Sequence, residues 1–306
     1  RRHTRYPLVT GVQTCALPIF INKNDFPIII NYCYYVIQSG AFFRYTPEMK
    51  INYNEYQQNK KYKFLFLNRR LNLHRFFLLG NLYDEIKEES GISFDKDLII
   101  DDLKRIIENE QYPGHFSNAS KQLYHNASSL LEKLPQNSFL DTTQLNSTNG
   151  YRHHATEPFK ESWISIVTET SFFEENDFIS EKTWKPLWHF QPFIVAGRPY
   201  TLKYLKELGY KTFDWLFDET YDLIEDDAER LLFIEKEIRR VNKIPFEELK
   251  NLILNNKETL IHNHNVLKNY GESRLYFEKK LIEICNSDLT FDYCDLIQEK
   301  YKQYEK

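Results

Sequence analysis

Apolar residues in this chain gather in short runs that stop abruptly at polar clusters, and the fullest succession of them spans Trp163–Gly197. Ile164, Ile166 and Val167 read as a buried strand, which Thr168, Glu169 and Thr170 end. Ser180 then stands at a helix N-cap position, with Glu181 and Lys182 in the first turn. Pro186 falls inside this helix and should kink it, and Pro192 must end it near Phe190. Phe193–Ala196 is a second apolar strand, closed by Gly197. Strand, helix and strand make a βαβ unit, whose strands should be parallel. Lys61–Glu85 repeats the theme: Phe64–Leu67 is a short strand, it stops at Asn68-Arg69-Arg70, and Arg75–Tyr83 has helical spacing.

The remaining segments are read more coarsely. Phe26–Tyr35 is a β-leaning run, Pro47–Lys61 a polar linker, and Ile86–Leu140 a stretch of helices such as Asp95–Glu110 and Ser120–Leu134, with a turn at Pro113-Gly114. Gln144–Lys160 is polar. Thr201–Leu208 is a short helix with Lys203 and Lys206 outward, ended by Gly209, and Lys211–Phe213 a strand. Long helices follow at Asp226–Val241 and Glu247–Tyr270, and Leu281–Lys306 is a charged, aromatic helical tail. The pattern predicts an α/β fold, a Rossmann-like parallel sheet with flanking helices over residues 61–270, and a tail over 271–306.

Composition changes the picture first at the N-terminus. Val9–Ile19, VTGVQTCALPI, back-translates to a sequencing-library adapter, and Arg1–Arg5 fits the same oligonucleotide. Residues 1–19 are therefore set aside like a fusion scar, and 20–60 are read as the remnant of an N-terminal domain and its linker. Arg1, Arg2 and Arg5 leave with that segment, so 40 basic residues become 37 against 44 acidic, and the net charge moves from −4 to −7. That balance argues against nucleic acid or an anionic membrane as the main partner. Cys33, Cys285 and Cys294 remain, an odd and scattered set that suits reduced thiols and a cytoplasmic location. No apolar run approaches the length of a membrane span. The sequons at Asn118, Asn126 and Asn146 are read as chance in an Asn-rich chain.

The candidate chemistry lies at the strand ends, where open parallel sheets bind ligands. Glu169 and the Ser180–Lys182 turn share that edge. First-turn N–H groups attract anions and Lys182 adds a full charge, while Glu181 suits paired hydroxyls such as those of a ribose. From spacing alone, Glu181 and Lys182 fit an ordinary solvated helix start equally well. At the other strand-to-helix turn Arg69, Arg70, His74 and Arg75 meet, and Arg offers two-pronged donors suited to phosphate. Arg69 or Arg70 taken singly fits a solvated surface turn. Arg152, His153 and His154 lie before the main strand; adjacent histidines point to different faces and no carboxylate spacing supports a metal, although His154 can equally face the ligand edge. His262 and His264, at alternate helix positions, read as structural. The acidic run Asp218-Glu219-Thr220-Tyr221-Asp222 either lines a pocket or caps the Asp226–Val241 helix, and capping is the reading adopted for Asp222.

Thr168-Glu169-Thr170-Ser171 and Asp177-Phe178-Ile179-Ser180-Glu181-Lys182 resemble the donor-binding motif of the α1,3-fucosyltransferases, glycosyltransferase family 10, where a strand ends in Phe-Glu-Asn-Ser and Asp-Tyr-Ile-Thr-Glu-Lys opens a helix. The stretch is more similar still to fucosyltransferase-like proteins of phage and environmental sequences, whose pattern continues through Thr201–Phe213, TLKYLKELGYKTF, to an acidic loop like Asp218–Asp222. A second match lies in the right order: Asn68 at a strand end and Arg75 beyond it correspond to the residues that open the family's donor domain. Thr170 stands where the family has Asn, and the loop before Asp177 is longer.

The resemblance implies the donor half of a GT-B glycosyltransferase that moves a sugar, fucose from GDP-fucose in the family, from a nucleotide diphosphate to a glycan, with no cofactor and no metal. It implies donor contacts from Asn68, Arg75, Glu169, Thr170, Ser180, Glu181 and Lys182, with Arg75 and Lys182 on the diphosphate, Glu181 on the ribose, and Glu169 facing the sugar or nucleotide. The general base belongs to the acceptor half, which comes first in GT-B enzymes and is expected to be cut away here, so this chain should turn over slowly or not at all. Two other classes stay open: a non-catalytic nucleotide- or glycan-binding module, and a nucleic-acid binder using Asn68–Arg75, against which the acidic balance weighs.

Overall fold

Four short strands lie side by side, all parallel, in a computed structural model that describes residues 51–57, 60–68, 72–94, 118, 121–122, 134, 157–170, 172–173 and 179–269. In chain order the elements are helix α1 (Tyr53–Tyr56), strand β1 (Tyr62–Asn68), α2 (Leu73–Ile86), β2 (Ser90–Phe94), α3 (Glu157–Glu161), β3 (Ser162–Thr168), α4 (Glu181–Trp188), β4 (Phe193–Ala196), α5 (Thr201–Glu207), α6 (Asp227–Asn242) and α7 (Phe246–Asn255). Helix α8 follows over 257–269. The parallel α/β sheet and its flanking helices agree with the Rossmann-like expectation. Phe26–Tyr35, Asp95–Glu110, Pro113-Gly114, nearly all of Ser120–Leu134, and Leu281–Lys306 lie outside the described residues.

The strand order is β2-β1-β3-β4. The chain steps outward from β1 to β2, then returns to lay β3 on the other side of β1. The order therefore reverses between β1 and β3. Connections leaving two neighbouring strands in opposite directions open a crevice beyond their carboxyl ends, where sheets of this kind bind ligands.

Hydrophobic burial fixes this frame. Every position of β3 is buried, as expected of a parallel strand covered on both faces. Leu231, Ile234, Ile238 and Val241 recur at helical spacing on α6, and α6 packs on α2 and β4. Burying each such side chain stabilises by about 1.5–3 kcal/mol. One polar group inside is tied in from several sides: Ser165 Oγ donates to Gln191 Oε1 at 2.6 Å, and Gln191 Nε2 donates to the Phe159 and Ser162 carbonyls.

Helix α4 ends where Pro192 requires, at His189, and Phe190 takes a left-handed φ of 54°. The Gln191 N–H then reaches back to the Pro186 carbonyl at 2.9 Å, a turn usually built on Gly. The non-Gly conformation costs roughly 1–2 kcal/mol, and Phe190 is held there by stacking on His264 at 4.2 Å and meeting Tyr53 edge-on at 5.5 Å.

Several sequence-based assignments need correction. Ser90–Phe94, inside the stretch read as helices and loops, is strand β2; with only two large apolar residues it acquires strand character from pairing with β1. The Pro47–Lys61 linker contains α1, whose Tyr56 is buried and stacks on His189 at 5.0 Å. Lys211–Phe213 is not a strand. The Lys211 N–H and C=O instead bond the Asn263 side-chain amide, both at 2.8 Å, so an amide replaces a neighbouring strand. Glu247–Tyr270 is two helices, α7 and α8, broken at Asn256. Polar Gln144–Lys160 runs into α3. His262 and His264 face different partners, the Gly209 and Trp188 carbonyls. Lys203 and Lys206 are exposed on α5, and Gly209, at φ 89°, follows that helix.

Candidate functional site

Asn68 ends β1 and Thr168 ends β3, so both stand at the point where strand order reverses. The Thr168 hydroxyl donates to Asn68 Oδ1 at 2.8 Å, bridging the two strands at the floor of the crevice. Asn68 is 1% exposed.

Glu169, the next residue, organises one wall. Its carboxylate accepts from the Ser180 N–H at 3.1 and 3.2 Å, from the Thr183 hydroxyl at 2.5 Å and from the Thr170 N–H at 3.2 Å. A buried carboxylate needs such donors, because an unpaired one would be heavily penalised. The bonds tie the start of α4 to the end of β3. Glu169 thus turns its carboxylate on the chain rather than leaving it free above the crevice.

The first turn of α4 closes on itself in the same way. Ser180 is the N-cap, its Oγ accepting from the Lys182 N–H at 3.3 Å. Lys182 Nζ donates to Thr170 Oγ1 at 3.0 Å, to Glu181 Oε1 at 3.0 Å and to Ser180 Oγ at 3.3 Å. Burial pushes the Glu181 carboxyl up, but Lys182 and Lys185 outweigh it and hold the group at about 2. The attraction of an anion by the first-turn N–H groups, expected from the sequence, is therefore largely used by the chain's own oxygens. Lys182 Nζ, with 26% of its side chain exposed, spends its three N–H donors on these oxygens, so an anion at that wall would take one of their places.

The opposite wall comes from α2. Asn72 stands at its N-cap without a side-chain cap hydrogen bond, and no acid occupies the first turn. His74 Nε2 donates to the Glu169 carbonyl at 2.8 Å, and Arg75 Nη2 donates to the same oxygen at 3.2 Å. One carbonyl thereby joins both strand-to-helix turns. Burial, then the Arg75 charge, holds His74 well below the usual imidazole range; the Glu169 carbonyl pulls the other way, and Lys182 and Arg230 add to the fall. Burial also lowers Arg75, against the charges of Glu169 and Glu181.

Arg230 of α6 completes the surroundings, and sequence reasoning missed it. All five of its N–H donors are used: Nε on the Gly197 carbonyl, Nη1 on those of Ile224 and Glu225, Nη2 on Phe172 and on the Asp227 carboxylate. Its guanidinium lies 4.5 Å from the centre of the Phe172 ring. Phe172 stacks in turn on His74, ring centres 4.8 Å apart and 11° from parallel. A signal existed, since Arg230 falls on the apolar stripe of α6, four residues before Ile234. His74, in the apolar run Leu73–Leu79, carried a similar signal.

The structure thus gathers Asn68, Arg75, Glu169, Thr170, Ser180, Glu181 and Lys182 around one crevice. Arg69, Arg70, Arg152, His153, His154, Ser171, Asp177 and Phe178 lie outside the described residues. Asp222 does cap a helix, but α5 and not α6: its carboxylate accepts from the Leu202 and Lys203 N–H groups at 2.8 and 3.0 Å, and Asp226 caps α6 itself. Among the described residues no three His, Cys, Asp or Glu side chains gather as metal ligands, and no helix is long and apolar enough to cross a membrane. No family model, no curated protein and no solved structure matches this chain.

Proposed function

We propose that this chain is the donor-binding domain of a GT-B glycosyltransferase, one that holds a nucleotide-diphosphate sugar at the point where strand order reverses and transfers the sugar to a glycan hydroxyl in the cytoplasm. The observation that carries this reading is that Arg75 from α2 and Lys182 from α4 both reach the Glu169-Thr170 segment at the end of β3, Arg75 at the Glu169 carbonyl and Lys182 at the Thr170 hydroxyl, with Glu181 bonded to Lys182. Two cations suit a diphosphate, and an ionised acid suits a ribose diol. The resemblance of the Glu169–Lys182 and Asn68–Arg75 stretches to the fucosyltransferases supports the same assignment and favours GDP-fucose as donor.

In the transfer, an acceptor oxygen bonds to the anomeric carbon, the bond from that carbon to the diphosphate oxygen breaks, and the acceptor proton passes to a base. Charge develops on the leaving diphosphate, so Arg75, Lys182 and the uncapped start of α2 would lower the barrier by being aimed at it in advance. Asn68, Thr170 and Ser180 would frame the donor. Glu169 acts at one remove, holding the start of α4 and offering its carbonyl to both walls.

Calorimetric titration of GDP, UDP, CDP and ADP into the full chain tests the reading. One nucleotide should bind in preference, and Lys182→Ala should weaken it at least tenfold, about 1.4 kcal/mol. Indifference of the wild-type chain to all four would sink the proposal.

A further inference from the structure

Two polar atoms in the crevice are closed to solvent and have no hydrogen-bond partner among the described residues, Asn68 Nδ2 and His74 Nδ1. Both residues are 1% exposed. Their other ends are already fixed. Asn68 Oδ1 accepts from Thr168, which leaves the amide NH₂ as the unmet group. His74 Nε2 lies 2.8 Å from the Glu169 carbonyl oxygen. A carbonyl can only accept, so Nε2 carries the proton and Nδ1 keeps a bare lone pair. Leaving a buried donor or acceptor unmet is unfavourable, and a ligand that meets both removes that penalty. The two atoms are of opposite kind and belong to residues joined through Thr168 and Glu169 at the crevice floor.

We propose that His74 Nδ1 reads the bound molecule, accepting a hydrogen bond from one of its hydroxyl groups while Asn68 Nδ2 donates to one of its oxygens. This rests on the donor-site reading above and extends it to a residue that reading does not use. Arg75 and Lys182 can only donate, so they hold an anion but cannot tell a sugar-bearing phosphate from a bare one. A hydroxyl needs an acceptor, and His74 supplies it. The ring is clamped for the task between Glu169 and Phe172, with Arg230 behind Phe172. The neighbouring cations and burial keep it uncharged. Phe172 and Phe173 also screen it from water, and in such surroundings a ligand's hydrogen bond counts for more than it would in solvent.

The two ring nitrogens can be separated by substitution, because Gln places its amide near the position of Nε2 and Asn places its amide near that of Nδ1. Into the full chain one titrates inorganic pyrophosphate, which has no carbon-borne hydroxyl, the tightest binder among GDP, UDP, CDP and ADP, and that nucleotide's hexose conjugate. His74→Gln keeps the bond to the Glu169 carbonyl and should melt near wild type. It should bind pyrophosphate unchanged yet lose at least tenfold for the conjugate. Loss for the nucleotide as well assigns the hydroxyl to the ribose; loss for the conjugate alone assigns it to the sugar. His74→Asn should melt lower while keeping more of the affinity than His74→Gln. Wild-type affinity of His74→Gln for both organic ligands, or the reverse order of the two variants, overturns this inference and leaves the donor-site reading standing. Wild-type protein that binds no nucleotide overturns both.

Discussion

Helices α2 and α4 both leave the carboxyl edge of the sheet beside the crevice, yet their first turns are built in opposite ways. The start of α4 is saturated: Glu169 takes the Ser180 N–H, Ser180 caps Lys182, and the Glu181 charge sits against the positive end of the dipole. The start of α2 has no side-chain cap and no acid, and it carries the buried Arg75. A first turn already satisfied by its own chain contributes a wall of fixed side chains. One left open, at the end of a 14-residue helix, retains its pull on an anion. On the donor-site proposal, the open start of α2 is the stronger pull on a ligand's phosphate, and α4 contributes Lys182 as a side chain from the other wall.

The most damaging way to break this contrast is Glu169→Ala. It leaves the Ser180 N–H and the Thr183 hydroxyl without their acceptor, and loss of two buried bonds should lower stability by about 3 kcal/mol in urea denaturation. Stability unchanged within 1 kcal/mol, on the same scale of a single hydrogen bond, would mean that the carboxylate does not hold α4 in place. Asn72→Asp sharpens the contrast by closing α2 as α4 is closed. A carboxylate at that N-cap should raise stability by about 0.5 kcal/mol while weakening a nucleoside diphosphate several-fold. If affinity does not fall, the anion is not at α2. The smallest effect is expected from pH. Glu181 has its folded pKa lowered from 4.5 to about 2, so its contribution is present above the unfolded value and is lost as pH falls through 4.5 toward 2. With 36% of the side chain exposed, solvent screens the interaction, and Glu181→Gln should remove only a shallow part of the acid slope.

The β3–α4–β4 unit was legible because its signals are local: a run of apolar residues, a Ser at the N-cap and a proline to stop the helix. The convergence of Asn68, Arg75, Glu169 and Lys182 at strand ends was legible for the same reason. Pairing across the sheet was not. Ser90–Phe94 has no periodicity of its own, and nothing local states that β1 lies between β2 and β3. Lys211–Phe213 has the composition of a strand but finds its backbone partner in Asn263, 52 residues away. The carboxylate of Glu169 is a further case. Its position at a strand end was clear from the sequence, whereas its engagement by Ser180 and Thr183 depends on how the loop between them returns. Arg230 and His74 are buried by packing between α2, α6 and the segment after β3, which no single stretch of sequence encodes.

On the donor-site proposal, a nucleoside diphosphate sits beyond β1 and β3, between the starts of α2 and α4. Hydrogen–deuterium exchange of the full chain, with and without a saturating concentration of the tightest-binding nucleoside diphosphate, tests it most directly. Exchange should slow at residues 72–76 and 179–183 and stay unchanged at the amino edge of the sheet around Gly91, Glu157 and Ser162. Protection at that amino edge, with the starts of α2 and α4 unaffected, would contradict it.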